Sequence, residues 1–224
     1  MKVSVIISTF NCERYISRTI RSCIEQSMER KDFEIIVVND GSTDNTNHIL
    51  KSFGDWIRVI TLESNMGLPY ASNMGIKSAL GRFVTRVDAD DYIHEDLLRV
   101  GYLYLSMNNN MDAVSFDYLL VDDDEDVIER RSAESDPIAC GVIFRKDRLI
   151  EIGLYDEKLL LSEDEDLRIR FRKRFTIHNV SLPLYRYRMH ENNSTKNIRR
   201  VVHYKEILHK KHKLISSEGK GKKS

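Results

Sequence analysis

Short apolar runs alternate with stretches of helical spacing through the first half of the chain. Val3 to Ser8, Phe33 to Asn39, Ile57 to Leu62 and Phe83 to Val87 are nearly continuous and rich in β-branched residues, which suits parallel strands covered on both faces. Between them Tyr15, Ile16, Ile20, Cys23 and Ile24 recur at helical intervals, as do Leu68, Ala71, Ile76 and Ala79. Strands alternating with helices imply right-handed crossovers and an α/β sheet. Pro69 falls in the first turn of its helix, where a missing N–H costs nothing, and Gly81 lies just past the end. A fourth helix is expected over Glu95 to Met107. Ala113 to Val121 and Val127 to Arg131 flank the acidic run Asp122 to Asp126 and read as a hairpin with a solvated turn. From Ile138 onward the pattern is mixed: a strand around Cys140 to Phe144, a short helix, an acidic helix from Glu163, then strands near Ile177 and Tyr185. One domain is expected over residues 1–198, followed by a basic helix and tail over 199–224.

Thirty-five basic residues balance thirty-five acidic ones, so no overall field selects nucleic acid as a partner. Positive charge gathers only in the tail, where Lys196, Arg199, Arg200, Lys205, Lys210, Lys211, Lys213, Lys220, Lys222 and Lys223 face Glu206 and Glu218. Such a run reads as a solvated helix with a frayed end, or, more sharply, as a peripheral contact with anionic lipid. Cys12, Cys23 and Cys140 are odd in number and lack CxxC spacing, which fits a reducing compartment without a disulfide framework or zinc cluster. A strand-like start and the lack of a run of about 20 apolar residues point to a cytoplasmic protein. Asn192 and Asn193 each head an N-x-[ST] triplet, discounted because no secretion signal accompanies them.

Ligands of open parallel sheets bind beyond the carboxyl ends of the strands. There this chain places Thr9, Phe10 and Asn11, then Asn39, Asp40, Gly41 and Ser42, then Asp88, Ala89, Asp90 and Asp91. Gly41 permits close backbone approach, and an acidic residue at this edge can accept hydrogen bonds from a ribose or a uracil-like base. Asp88 and Asp90 can both reach a hard divalent cation that keeps places open for phosphate oxygens. A bridging Mg²⁺ or Mn²⁺ would stabilise a nucleotide-diphosphate leaving group. The same aspartates also suit a turn and helix cap or an aspartyl-phosphate nucleophile, and Ser42 or Asp44 suits an N-cap. Asp122, Asp124 and Asp126 are not a calcium loop, because Val127 stands where its glycine belongs and Ala133 where its glutamate belongs. Neither G-x-G-x-x-G nor a P-loop occurs.

In order and spacing, VSVIISTFN, EIIVVNDGSTDNT, NMGLPYASNMGIKSALGRFVTRVDADD, IGLYDEKL and SEDEDLRIRFR resemble the inverting family 2 glycosyltransferases of the GT-A fold, over about Val3 to Ser194. The resemblance implies a Rossmann-like, mostly parallel sheet with helices on both faces and a smaller mixed C-terminal part. Residues 1–91 would be the nucleotide-binding half and 92–198 the acceptor-binding half. The implied reaction moves a sugar from a nucleotide-diphospho-sugar, UDP-linked first of all, to a hydroxyl of a saccharide or lipid-linked acceptor, with Mn²⁺ or Mg²⁺, in surface glycan or glycolipid synthesis. Thr9, Asn11, Glu13 and Asp40 would line the nucleoside pocket, with Asp40 addressing the base, and Ser42, Asn65, Asn73 and Ala89 would complete the donor set. Asp88 would contact the ribose or sugar, Asp90 and His190 would hold the metal, and Glu163 is a secondary acceptor-site candidate. Asp164 falls where the family places its catalytic base, since Leu167 and Arg170 follow at the family's intervals. Many relatives carry an arginine where this chain has Ser72, and Arg86 could replace that charge beside the phosphates. Trp56, the only tryptophan, lies outside any QxxRW motif, so addition of one or a few sugars is expected, with inversion. A nucleotide-sugar binding module without catalysis and an aspartyl-phosphate phosphatase are the alternatives.

Overall fold

The computed structural model describes residues 1–191 and 198–213. Its strands are β1 (Val3–Thr9), β2 (Phe33–Asn39), β3 (Arg58–Thr61), β4 (Phe83–Asp88), β5 (Tyr92–Ile93), β6 (Ala113–Val121), β7 (Val127–Arg131), β8 (Ile143–Arg145) and β9 (Ile177–Arg188). Its helices are α1 (Ile16–Ile24), α2 (Thr46–Ser52), α3 (Leu68–Ser78), α4 (Leu97–Met107), α5 (Lys146–Glu151), α6 (Glu163–Arg172) and α7 (Ile198–His212). One sheet runs β3-β2-β1-β4-β8-β6-β9-β5, with β7 beside β6. Its first four strands are parallel, and pairing from Thr9↔Asn39 and Ser8↔Asp88 brings their polar ends to a common edge.

Strand alternation sorts the core into two layers. Val3, Val5 and Ile7 with Phe33, Ile35 and Val37 pack against α1, α2 and α4 through Ile16, Ile20, Leu50, Leu97 and Leu105. Ile6, Ile36 and Val38 face the other way, onto Ala71 and Ile76 of α3 and Leu167 and Phe171 of α6. Covering both faces explains why these strands are apolar almost throughout.

The second half is mixed: β8 runs antiparallel to β4 and β6, whereas β9 runs parallel to β6. The two strands expected near Ile177 and Tyr185 are a single strand, β9. Pro183 has no N–H for the ladder, and the register against β6 shifts on both sides of Asp117, its partner there. β8 begins at Ile143, later than expected, because Gly141 turns the chain at φ +70° with Tyr185 packed against it. The acidic turn after β6 is not simply solvated. Tyr15 donates to Asp123 (2.9 Å), Arg18 to Glu125 (2.9 Å) and Arg188 to Glu125 (3.0 Å), which straps the hairpin to α1 and β9.

The basic tail begins as a docked helix. Leu208 is buried, Lys211 Nζ reaches Asp156 (2.6 Å) and Asp166 (2.7 Å), and His212 Nε2 lies 2.7 Å from Asp166. Asn192, Asn193, Lys196 and the tail beyond Lys213 lie outside the described residues. No helix among the described residues is long and apolar enough to cross a membrane.

Burial alone would raise the carboxyl of Asp166, but bonds from Lys211, His212 and Arg170 outweigh it and hold the group below its ordinary value. Its stabilising contribution is therefore present above the unfolded value, about 3.9, and is lost as pH falls through the lower folded one. Asp166→Ala is expected to cost about 3 kcal/mol at pH 7, the scale for breaking a buried ion pair. Urea titrations should show that gap closing as acidification passes through the lowered folded value.

Candidate active site

β1 and β2 end side by side, and the Asp40 N–H donates to the Thr9 carbonyl (2.8 Å). At Gly41, φ is +71° and a Cβ would lie 2.6 Å from the carbonyl carbon of Ser64, so glycine alone lets this turn rest against the loop before α3. The buried Asp40 carboxylate accepts the N–H groups of Met66 (2.7 Å) and Gly67 (2.9 Å) and holds that loop over the strand ends. Asn11, at φ 49°, donates its N–H to Ser42 Oγ (3.0 Å) and accepts the Thr43 N–H (2.8 Å). Glu13 accepts the Asn45 N–H (2.8 Å) just before α2.

The sequence-expected donor residues thus divide. Thr9 and Asp40 are buried, and Asn11, Glu13 and Ser42 tie the loops after β1 and β2 to each other. Asn65 is exposed on the loop packed against Gly41. Asn73 is not turned to this edge: its amide donates to the Tyr155 carbonyl (3.0 Å) and Glu157 (2.9 Å) and accepts the Tyr155 N–H (3.0 Å), fastening the 153–157 loop to α3. Phe10, Cys12, Leu68 and Tyr187 line the crevice beside Asp88, Ala89 and Asp90. Cys12, Leu68 and Tyr187 were missed from sequence, and Phe10 was placed at this edge without a role. Phe10, an aromatic set between two polar residues just past a strand and 45% exposed, carried a readable signal.

Three carboxylates share the turn after β4, and β9 clamps it. Asp91 accepts the Tyr185 hydroxyl (2.7 Å) and the Arg188 N–H (2.8 Å), the Asp88 N–H donates to the Tyr185 hydroxyl (3.2 Å), and Arg188 Nε donates to the Asp90 carbonyl (3.0 Å). All three aspartates line the crevice wall, Asp91 with both carboxylate oxygens already engaged by β9. His190 follows β9, with Nε2 2.8 Å from Asp90 Oδ2 and its ring stacked on Tyr15. Burial, then the Asp88 charge, pushes the Asp90 carboxyl up against the pull of His190. Burial and the charges of Asp90 and Asp88 push Asp91 well above the carboxylate range. Crowded negative charge of this kind is relieved by a cation. The carboxylate suits Mn²⁺ or Mg²⁺, and an imidazole beside it favours Mn²⁺, the softer of the two. Among the described residues no group of three or more His, Cys, Asp or Glu side chains is placed to hold a metal ion.

Arg86, 5% exposed, joins this turn to α6. Its Nη1 lies 3.1 Å from Glu163 and its Nε 3.3 Å from Asp88, with the guanidinium over the Tyr155 ring. Burial opposes its charge, but the acidic groups around it more than compensate and hold the guanidinium protonated. The expected phosphate contact is thus matched here by two carboxylate partners. Glu163 is buried, and its carboxyl is pushed up to about 7 by burial, then pulled down by Arg86 and up by Asp164.

The first turn of α6 carries Glu163, Asp164, Glu165 and Asp166, where negative charge complements a helix N-terminus. Spacing allows two ion pairs on this helix, and one forms: Asp166 meets Arg170 at 2.7 Å with its side chain fully buried. Asp164 is half-buried and has no hydrogen-bond or ion-pair partner among the described residues.

Three hollows adjoin along this edge. Asp88 lines the first, with Asp90, and the second, with Arg86 and Glu163; Asp164 lines the second and a third beyond it. The aspartate turn after β4 thus borders the first hollow, and the Asp164 carboxylate lies where the second and third meet.

The family model described as Glycosyl transferase family 2 matches residues 4–182. TarS of Staphylococcus aureus, named a poly(ribitol-phosphate) beta-N-acetylglucosaminyltransferase, is 40% identical over 102 residues, which cover 44% of this chain and 18% of that protein. The chain thus spans under a fifth of that relative's length. Crystalline S. aureus TarS 1–349 in complex with UDP-GlcNAc superposes with a TM-score of 0.80 at 23% identity, covering 97% of this chain and 68% of the other. The mannosyltransferase PcManGT of Pyrobaculum calidifontis, in complex with GDP-Man and Mn²⁺, gives 0.72 at 20% identity over 93% and 70%. At these identities both structures speak for the fold alone.

Proposed function

Because the chain belongs to glycosyl transferase family 2, we propose that it transfers a sugar, with inversion, from a UDP-linked donor to a hydroxyl of a saccharide or lipid-linked acceptor in surface glycan or glycolipid synthesis. One observation carries this reading: Asp88 and Asp164 are the shared walls of three hollows in a row. A donor diphosphate at the first, its sugar at the second and an acceptor at the third would put the two sides of the reacting carbon between them. The UDP-GlcNAc bound by TarS supports a UDP-linked donor.

Residues 1–91 form the donor half, in which Thr9, Asn11, Glu13, Asp40, Ser42 and Asn65 shape the nucleoside end and Asp88 and Ala89 the sugar end. Asp90 and His190 would hold Mn²⁺ or Mg²⁺, and the Mn²⁺ of PcManGT supports such an ion. When bound, it would neutralise the charge developing on the departing diphosphate. In the acceptor half, 92–198, Asp164 takes the proton of the attacking hydroxyl. Arg86 sets the distance between the two sides by holding Asp88 and Glu163 at once.

Attack opposite the leaving group inverts the anomeric carbon, so an α-linked donor yields a β-linked product. Proton NMR of the first product formed tests this, and an α-linked product overturns the single-displacement reading. His190→Ala is expected to raise the Mn²⁺ needed for half-maximal rate at least about tenfold, the scale on which metal-site support acts. Rates measured against Mn²⁺ concentration check it, and an unchanged requirement removes His190 from the site.

A further inference from the structure

The hollow beyond Asp164 lies between α6, β6 and the 133–139 loop, with an empty volume of about 440 Å³, open mouth included. Ile138, Val142 and Leu167 give it apolar walls, and Arg168 and Arg172 line it together with Asp164. The three charged residues are four apart along α6 and so share one helix face. Neither guanidinium has a hydrogen-bond or ion-pair partner among the described residues. Arg170, on the same helix, contrasts with them: Asp166 and the carbonyls of Ile152 and Leu154 hold it.

We propose that this hollow is a subsite for an acceptor that carries a phosphate or carboxylate group close to the hydroxyl it presents to Asp164. The proposal rests on the reading of Asp164 as the base. An anion approaching the first turn of α6 meets Glu163, Asp164, Glu165 and Asp166, and two unpaired guanidiniums beside apolar walls offset that repulsion. At 1.5 Å rise per residue, Arg168 and Arg172 stand about 6 and 12 Å along the helix from Asp164. That reach matches a charged group on the attacking sugar or on its immediate neighbour. Arginine forks bind phosphate or carboxylate oxygens in pairs, more strongly where water is partly excluded.

The test is calorimetric titration of inorganic phosphate, methyl phosphate and glucuronate, with neutral methyl glucoside as control, into protein saturated with UDP and Mg²⁺. Saturation occupies the donor side, so the anions report on the acceptor side. Phosphate or glucuronate should bind with a dissociation constant on the order of 1 mM. The Arg168→Gln/Arg172→Gln protein should bind it at least tenfold more weakly, with UDP affinity unchanged. Should the double variant fail to fold, Arg172→Gln alone, which is at the surface, should still lose several-fold. Tighter binding of glucuronate identifies a uronate acceptor, and tighter binding of the phosphates a phosphorylated one. No anion binding by the UDP-loaded protein, or equal affinity in the variants, overturns the proposal. Failure of the protein to take up UDP at all instead overturns the donor-site reading, and the subsite falls with it.

Discussion

Asp164→Asn is expected to lower sugar transfer by about 10²- to 10⁴-fold, the range ascribed to general-base catalysis, while UDP affinity and melting temperature stay within error of the parent. The substitution keeps size and shape and removes only the ability to accept a proton. Nothing structural should follow, because Asp164 bonds to no other side chain among the described residues. Asp166→Asn is the matched control, for it lies two residues on but is buried among Arg170, Lys211 and His212. It should lower stability and leave the chemical step of the surviving folded protein nearly intact. Single-turnover transfer and thermal unfolding on both variants separate the roles. Full turnover by Asp164→Asn would refute the assignment of the base.

Arg86→Met should be the most destabilising single change in the cleft, costing about 3 to 5 kcal/mol, as breaking a buried ion pair does. Asp88 and Glu163 would be left without the cation that separates them, so donor affinity should fall as well. Arg86→Lys should recover only part of this, since one ammonium cannot replace a fork that reaches Asp88 through Nε and Glu163 through Nη1. Denaturant melts and UDP titrations on the two variants check the order parent, Lys, Met. A pH signature accompanies it. The Glu163 carboxyl is raised in the folded protein from 4.5 to about 7, so its stabilising contribution is complete below the unfolded value and is lost as pH rises through the folded one. Glu163→Gln should flatten that decline between these two values.

Strands β2 and β6 have the bounds that their apolar runs suggest, and the polar ends of β1, β2 and β4 share an edge as parallel pairing requires. Local patterning suffices for these because burial on both faces leaves a strong periodic record. It does not reach contacts between residues far apart. The clamp from Tyr185 to Asp91 spans 94 positions and the Asn73 fastening to Glu157 spans 84, and neither leaves a periodic trace. Asp164 and Asp166 each have an arginine four residues on, so spacing treats them alike. Only the docking of α7, which brings Lys211 and His212 to Asp166, separates an interior anchor from an available carboxylate. The acidic hairpin turn likewise looked solvated until Arg18 and Arg188 were brought to it.

The most direct test of the cleft is to incubate the protein with a panel of nucleotide-diphosphate sugars and follow nucleotide diphosphate release, with Mn²⁺ and again with a chelator. The expected result is release from one donor, UDP-linked, that stops when the ion is removed and is absent in Asp90→Ala. Release from none of the donors, or a rate indifferent to the chelator, would contradict a site in which Asp90 and His190 hold an ion against a departing diphosphate.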